Sequence, residues 1–223
     1  MDFERARFNM VEQQLRPWNV ADQDVRDLMC QVPREDFVPE QYRDMAFSDL
    51  EIPLVVDGVA TGETMLAPKV EALMLQALKI QRHESVLEIG AGSGFMAALL
   101  AQHARHVTTY EILPELARFA AANLRRAGIS NVSVEPRDGA ALLRLESERE
   151  DAIILSGSVE IVPHELLEKL NVGGRLCAIV GTLPIMHAQL VTRLGEKEFR
   201  TERLFDTVAK PLTGFPVKPR FTF

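Results

Sequence analysis

The stretch from Glu84 to Glu111 constrains this chain more than any other. Ser85-Val-Leu-Glu-Ile-Gly-Ala-Gly-Ser-Gly94 is followed by an apolar helical pattern and then by Val107-Thr-Thr-Tyr-Glu111. The order reads as strand, glycine turn, helix and second strand, with a carboxylate closing that strand. Glycines at such a turn let the backbone fold tightly and come close to a ligand, where a Cβ would block both. In nucleotide-binding units of this kind an acidic residue about 20 positions further on meets ribose hydroxyls. Glu111 lies 21 positions after Gly90, so both halves of the signal are present.

The detail of the turn selects among nucleotides. The pattern is Glu88-x-Gly90-x-Gly92-x-Gly94, whereas the dinucleotide fingerprint is G-x-G-x-x-G. The third glycine comes one residue early and an acid precedes the first. An anion at a helix N-terminus needs positive potential and free N-H groups, so Glu88 would repel a pyrophosphate. A ligand carrying an ammonium and a sulfonium would tolerate that carboxylate, and S-adenosylmethionine carries both. The segment resembles motif I of the class I methyltransferases. That resemblance implies a Rossmann-like α/β sheet with helices on both faces. It also implies a cofactor site of Glu88, Gly90, Ala91, Gly92, Ser93 and Gly94, with Glu111 and Ile112 at the ribose and Asp138 and Gly139 near the adenine.

Composition narrows the function classes. A chain of 223 residues can bury a sizeable core. Its net charge of -7 argues against general nucleic-acid binding, which wants a basic face. The start, Met1-Asp-Phe-Glu-Arg-Ala-Arg, is charged and no long apolar run follows. Neither a signal peptide nor a membrane span is expected, and a cytoplasmic protein is. Cys30 and Cys177 are isolated and read as buried hydrophobes, and the histidines fall singly, so no metal site is expected.

Along the chain, residues 4 to 16 have helical composition with Phe8, Val11 and Leu15 on one stripe, ended by Pro17. A short helix from Asn19 or Ala21 carries Val25, Leu28 and Met29, and a punctuated connector follows with Phe37, Val38 and Tyr42 as anchors. Pro68 opens a helix with Val70, Leu73, Met74, Ala77 and Leu78 at helical spacing. Pro114 opens another, then strands are expected at 131–135, 151–155 and after Gly173, a helix over 162–170, and a final antiparallel pair over 188–193 and 202–208. The resulting division is a helical and connector region over 1–66, an α/β domain over 67–213 and a tail over 214–223. The tail's Phe215, Phe221 and Phe223 should pack back on the domain or meet a second copy in a homo-oligomer.

Met10-Val-Glu-Gln-Gln-Leu15, Val32-Pro-Arg-Glu-Asp-Phe-Val-Pro39, Tyr42-Arg-Asp and Ile52-Pro-Leu54 stand in the order characteristic of one family. Through them the chain resembles the protein-L-isoaspartate O-methyltransferases, from Arg5 to Thr213. The resemblance implies methyl transfer from S-adenosylmethionine to isoaspartyl residues of damaged proteins, and charge and hydropathy lead us to expect no nucleic acid or membrane as partner. In that family a Gly-Gln-Thr-Ile-Ser-x-Pro-His turn lies over the methyl donor, with its serine by the reaction centre. Here Leu66 stands at the serine position and Lys69 at the histidine position, so Thr64 and Lys69 are the candidates to replace the lost group. Ser156, Gly157 and Ser158 stand where the family carries Thr-Ala-Ala beside the substrate. Because Leu66 replaces the serine, two alternatives stay open: a different methyl acceptor, or a non-catalytic S-adenosylmethionine-binding protein.

Overall fold

The computed structural model describes residues 2–145 and 148–218. The chain begins with α1 (Phe3–Met10), which runs on into a π-helical turn over Val11–Leu15. Then come α2 (Gln23–Gln31) and 3-10 turns at Arg34–Asp36 and Glu40–Met45. β1 (Ile52–Val56), β2 (Val59–Met65) and α3 (Pro68–Leu78) lead to β3 (Ser85–Ile89), α4 (Phe95–Ala101), β4 (His106–Tyr110), α5 (Pro114–Arg126) and β5 (Val132–Glu135). A 3-10 turn at Gly139–Arg144, β6 (Glu150–Val159), α6 (His164–Leu167), β7 (Leu170–Thr182), β8 (Ile185–Arg193) and β9 (Phe199–Asp206) complete it.

Seven strands form one sheet in the order β5-β4-β3-β6-β7-β8-β9, and β1 and β2 form a separate hairpin. The pairs from β5 through β7 are parallel and the last two are antiparallel. Side chains alternate across a strand, so each central strand feeds two cores. Val86, Ile154, Cys177 and Ile179 face a cluster with α3, α4 and the N-terminal helices. Leu87, Ile89, Ile153, Leu155 and Leu176 face a second cluster with Leu142, Leu166 and Leu212. This is the expected α/β architecture, and its near-continuous apolar central strands are what burial on both faces requires.

Several local expectations differ from the structure. The hairpin is absent from the expected set, although Asp57-Gly58 is the signal for it. Val56 pairs with Val59, and both turn residues take positive φ, the conformation of a type I′ turn. α2 starts later than expected because Asp22 caps it, accepting from the Asp24 amide at 2.9 Å. In the first helix Met10, Val11 and Leu15 are buried while Phe8 faces outward, since the π-helical turn breaks the 3.6-residue period. Cys177 is buried but Cys30 is only half-buried. The helix expected over 162–170 is a single turn, because Leu170 already opens β7. Of the tail aromatics, Phe215 packs against the second cluster, and Phe221 and Phe223 lie outside the described residues. No described helix is long and apolar enough to cross a membrane.

Candidate active site

One cavity opens at the carboxyl ends of β3, β4, β5 and β6. Gly90, Ala91, Gly92 and Ser93 line it after β3, Glu111 and Ile112 after β4, Asp138 and Gly139 after β5, and Ser156 and Gly157 within β6. The hairpin and its exit contribute Glu63 to Leu66, and residues 210–213 with Phe215 form the facing wall. The chain leaves β3 toward β4 on one side and later pairs β6 on the other, which makes this the topological switch point where open α/β sheets hold ligands.

The glycine turn is held from below. Gly90 takes φ +96° and donates to the Tyr110 carbonyl at 2.8 Å. Its missing Cβ would lie 3.2 Å from Leu212 Cδ2, so the facing wall comes down directly on the turn. Glu111 accepts from the Gly92 amide at 2.9 Å with one carboxylate oxygen and from the Leu113 amide at 3.0 Å with the other. Burial raises its pKa, against the pull of those amide hydrogen bonds. Asp138 accepts from the Ala140 amide at 2.8 Å and so fixes the loop that carries it and Gly139 to the cavity. Ser93 accepts from the Phe95 amide at 3.3 Å, and its carbonyl takes a hydrogen bond from Asn123.

Glu88 lies at the base, fully buried. Thr109 donates to one of its oxygens and Ser156 to the other, both at 2.7 Å. Burial pushes its pKa up to about 8 despite those two donors. At pH 7 the group is therefore mainly neutral without a ligand, which corrects the expectation of a standing negative charge beneath the turn. An approaching cation favours its ionised form.

Two expected site residues stand outside the cavity lining. Gly94 is set against α5, where a Cβ would meet the Ala120 carbonyl oxygen at 3.2 Å; its role is helix packing. Ser158 is buried beneath the wall, donating to the Ala209 carbonyl at 2.8 Å. On the acceptor side Leu66 does line the cavity, and its carbonyl accepts from Arg34 at 2.6 Å. Thr64 lines it as well, but its hydroxyl donates to Glu51 at 2.8 Å. Lys69 turns away, 3.0 Å from Asp49 and 4.1 Å above the Trp18 ring, so it does not stand in for the missing serine.

Other cavity residues carry no local sequence signal. Lys210, Leu212 and Phe215 reach the site only because Pro211 bridges to Ser158 at the edge of β6, with Ser158 donating to the Lys210 carbonyl at 2.7 Å. Glu71 lines it from α3 and is paired with the buried Arg34; burial raises its pKa to about 7 against the pull of that guanidinium.

The described lining carries five acidic side chains, Glu63, Glu71, Glu88, Glu111 and Asp138, of which the buried Glu88 ionises when a cation approaches, and a single ammonium, on Lys210. That donor set suits a cationic nucleotide and opposes a pyrophosphate, so the residues present fit S-adenosylmethionine. Fold and site together define a Rossmann-like class I methyltransferase. The family model described as protein-L-isoaspartate(D-aspartate) O-methyltransferase matches residues 6–214, and the chain belongs to that family. It is 41% identical to a Rhodopseudomonas palustris protein-L-isoaspartate O-methyltransferase, covering 92% of each chain. It is 39% identical to one from Syntrophotalea carbinolica, covering 96% of each. Among solved structures, a Plasmodium falciparum protein of the same family name, in complex with S-adenosyl-L-homocysteine, aligns with a TM-score of 0.78 at 21% identity. That alignment covers 93% of this chain and 98% of the other.

Proposed function

We propose that the protein is an S-adenosylmethionine-dependent carboxyl O-methyltransferase acting on isoaspartyl residues of damaged proteins. The observation that carries this reading is one cavity in which the glycine turn, Glu111 and Asp138 stand at strand ends, opposite a wall built from the hairpin exit and residues 210–215. Family membership supports the acceptor. In this reading Glu111 takes the ribose hydroxyls on its remaining lone pairs, Asp138 and Gly139 face the adenine, and Ser156 and Gly157 border the acceptor. Bound there, S-adenosylmethionine supplies a sulfonium methyl group that passes in line to a carboxylate oxygen. The chain's own task is placement. An aspartyl-type carboxylate with a pKa of about 4 is ionised at pH 7 and needs no general base, while restricted approach and orientation lower the barrier by several kcal/mol.

Leu66 favours a second reading, an enzyme with the same donor and another acceptor. A leucine beside a carboxylate nucleophile strips water from the charge without offering a donor, and Thr64 is already committed to Glu51. Transfer from labelled S-adenosylmethionine to isoaspartyl peptide, aspartyl peptide and protein extract separates the readings. On the first reading native isoaspartyl activity is low, and Leu66→Ser raises it by up to roughly a hundredfold if the hydrogen bond is restored. Methylation of extract but not of isoaspartyl peptide, in either form, would establish the second. Donor binding without any acceptor-dependent turnover would leave a non-catalytic binder.

A pH prediction follows from Glu88. A cationic donor selects the ionised carboxyl, which at pH 7 is about one molecule in ten when the pKa is about 8. Donor affinity should therefore rise by up to roughly tenfold between pH 7 and 9, relative to Glu88→Gln, which has no group to titrate there. Without ligand the sign reverses. The folded pKa lies above the unfolded one, so this group's contribution to stability is complete below about pH 4.5 and is lost as pH rises through 8. Parallel affinity profiles for wild type and Glu88→Gln in calorimetry would remove Glu88 from the donor site.

A further inference from the structure

The acidic lining poses a problem for an acceptor that brings its own carboxylate, because every ionised acid there repels it. Lys210 is the cation that offsets this. Its ammonium donates to the Gly62 carbonyl and stands 3.5 Å from a Glu63 carboxylate oxygen, with 47% of its side chain exposed. Its backbone is fixed by the Pro211 bridge and by the Leu212 amide, which donates to Ser158 at 2.8 Å. The anchor is rigid while the head sits at the cavity mouth. An ammonium has three donors, one of them on a neutral carbonyl and another on an acid that water screens. Among the described residues, the other cations nearby are committed elsewhere, Lys69 to Asp49 and Trp18, and Arg34 to Glu71 and two carbonyls.

We propose that Lys210 binds the carboxylate of the methyl acceptor and makes this cavity selective for anionic acceptors. The assignment rests on the carboxyl methyltransferase reading above. In the transfer a carboxylate oxygen forms the O–CH3 bond as the methyl–sulfur bond breaks, and that electron pair goes to sulfur. The acceptor becomes a neutral ester, the sulfonium a neutral thioether, and Lys210 keeps its proton. The acceptor's charge is being consumed at the transition state, so a cation that holds it favours the ground state at least as much. Its contribution therefore belongs in KM rather than kcat. The neutral ester no longer engages the ammonium, which helps product leave.

Steady-state kinetics on an isoaspartyl peptide, with calorimetry of S-adenosyl-L-homocysteine binding, test this on wild type, Lys210→Met and Lys210→Arg. Methionine keeps the apolar stem and removes the charge. It should raise the peptide KM by roughly five- to tenfold with kcat within about twofold, and arginine should restore KM. Added salt should raise KM in the wild type and leave it flat in Lys210→Met, and S-adenosyl-L-homocysteine binding should be equal in all three. Wild-type turnover with an unchanged KM in Lys210→Met overturns the assignment alone, as does weakened product binding or failure of arginine to rescue. A wild type without isoaspartyl turnover overturns both the assignment and the reading beneath it.

Discussion

Replacing Arg34 by methionine should lower stability by about 3–5 kcal/mol at pH 7, the range for breaking a fully buried ion pair by removing one partner. The Arg34 side chain is wholly inaccessible to solvent. It donates to the Ala46 carbonyl at 2.9 Å, to the Leu66 carbonyl at 2.6 Å and to Glu71, and its guanidinium stacks 4.8 Å from the centre of the Phe95 ring. One side chain thus joins the N-terminal connector, the exit of the hairpin, α3 and α4. Its loss leaves two buried carbonyls without a donor and Glu71 without a countercharge. Glu71 then binds a proton at neutral pH, since burial already holds its pKa at about 7 with Arg34 present. This limits the cost. The double variant Arg34→Met with Glu71→Leu should recover a good part of it, because a buried pair is worth little more than well-packed apolar groups. Urea denaturation of the three proteins measures both effects, and a loss below about 1 kcal/mol in the single variant would show that the pair bears little on the fold.

Glu111→Ala should weaken S-adenosylmethionine binding by roughly ten- to a hundredfold, as expected for lost hydrogen bonds to a charged acceptor. The carboxylate acts twice, holding the Gly92 and Leu113 amides while offering its remaining lone pairs to the cavity. Glutamine cannot replace it, because only one of its two terminal atoms accepts and one amide would face a donor. Glu111→Gln should therefore bind nearly as weakly as Glu111→Ala. Calorimetry decides: unchanged affinity in a folded variant would take Glu111 out of the site, and tight NADH binding would overturn the donor assignment.

Local chemistry made the glycine-turn side of the cavity legible in the sequence. The three glycines and Glu111 sit within one short unit, Asp138 follows the alternating strand that ends at Glu135, and Ser156 directly follows the apolar run of 151–155. What the sequence hides is contact made at long range. Ser158 reads as a site residue beside Ser156, and strict alternation would put both on one face, but β6 carries a register irregularity between Ile154 and Ser158, and the Ser158 hydroxyl goes to Ala209 while Ser156 reaches Glu88. Gly94 belongs to the glycine pattern and is used for packing on Ala120. Lys69 adjoins the acceptor turn in the chain but lies on a helix face that meets Trp18 and Asp49. Lys210 and Phe215 come from a segment with no motif, and Arg34 reads as one charged residue among several in the connector. The Asp57-Gly58 hairpin and the Asp22 helix cap left sufficient local signals that went unused.

The walls of the cavity are drawn from residues 54, 63–66, 71, 88–93, 96, 110–113, 116, 138–139, 156–157, 210–213 and 215, so no contiguous fragment of the chain contains the site. Binding and folding are consequently a single thermodynamic system. A ligand present at a hundred times its dissociation constant adds about 2.7 kcal/mol to the folded state. That increment also opposes every local opening that breaks a wall, whether in the hairpin, the glycine turn or the segment after β9. On the proposed function, a cell short of the methyl donor would hold a protein that is both idle and easier to unfold.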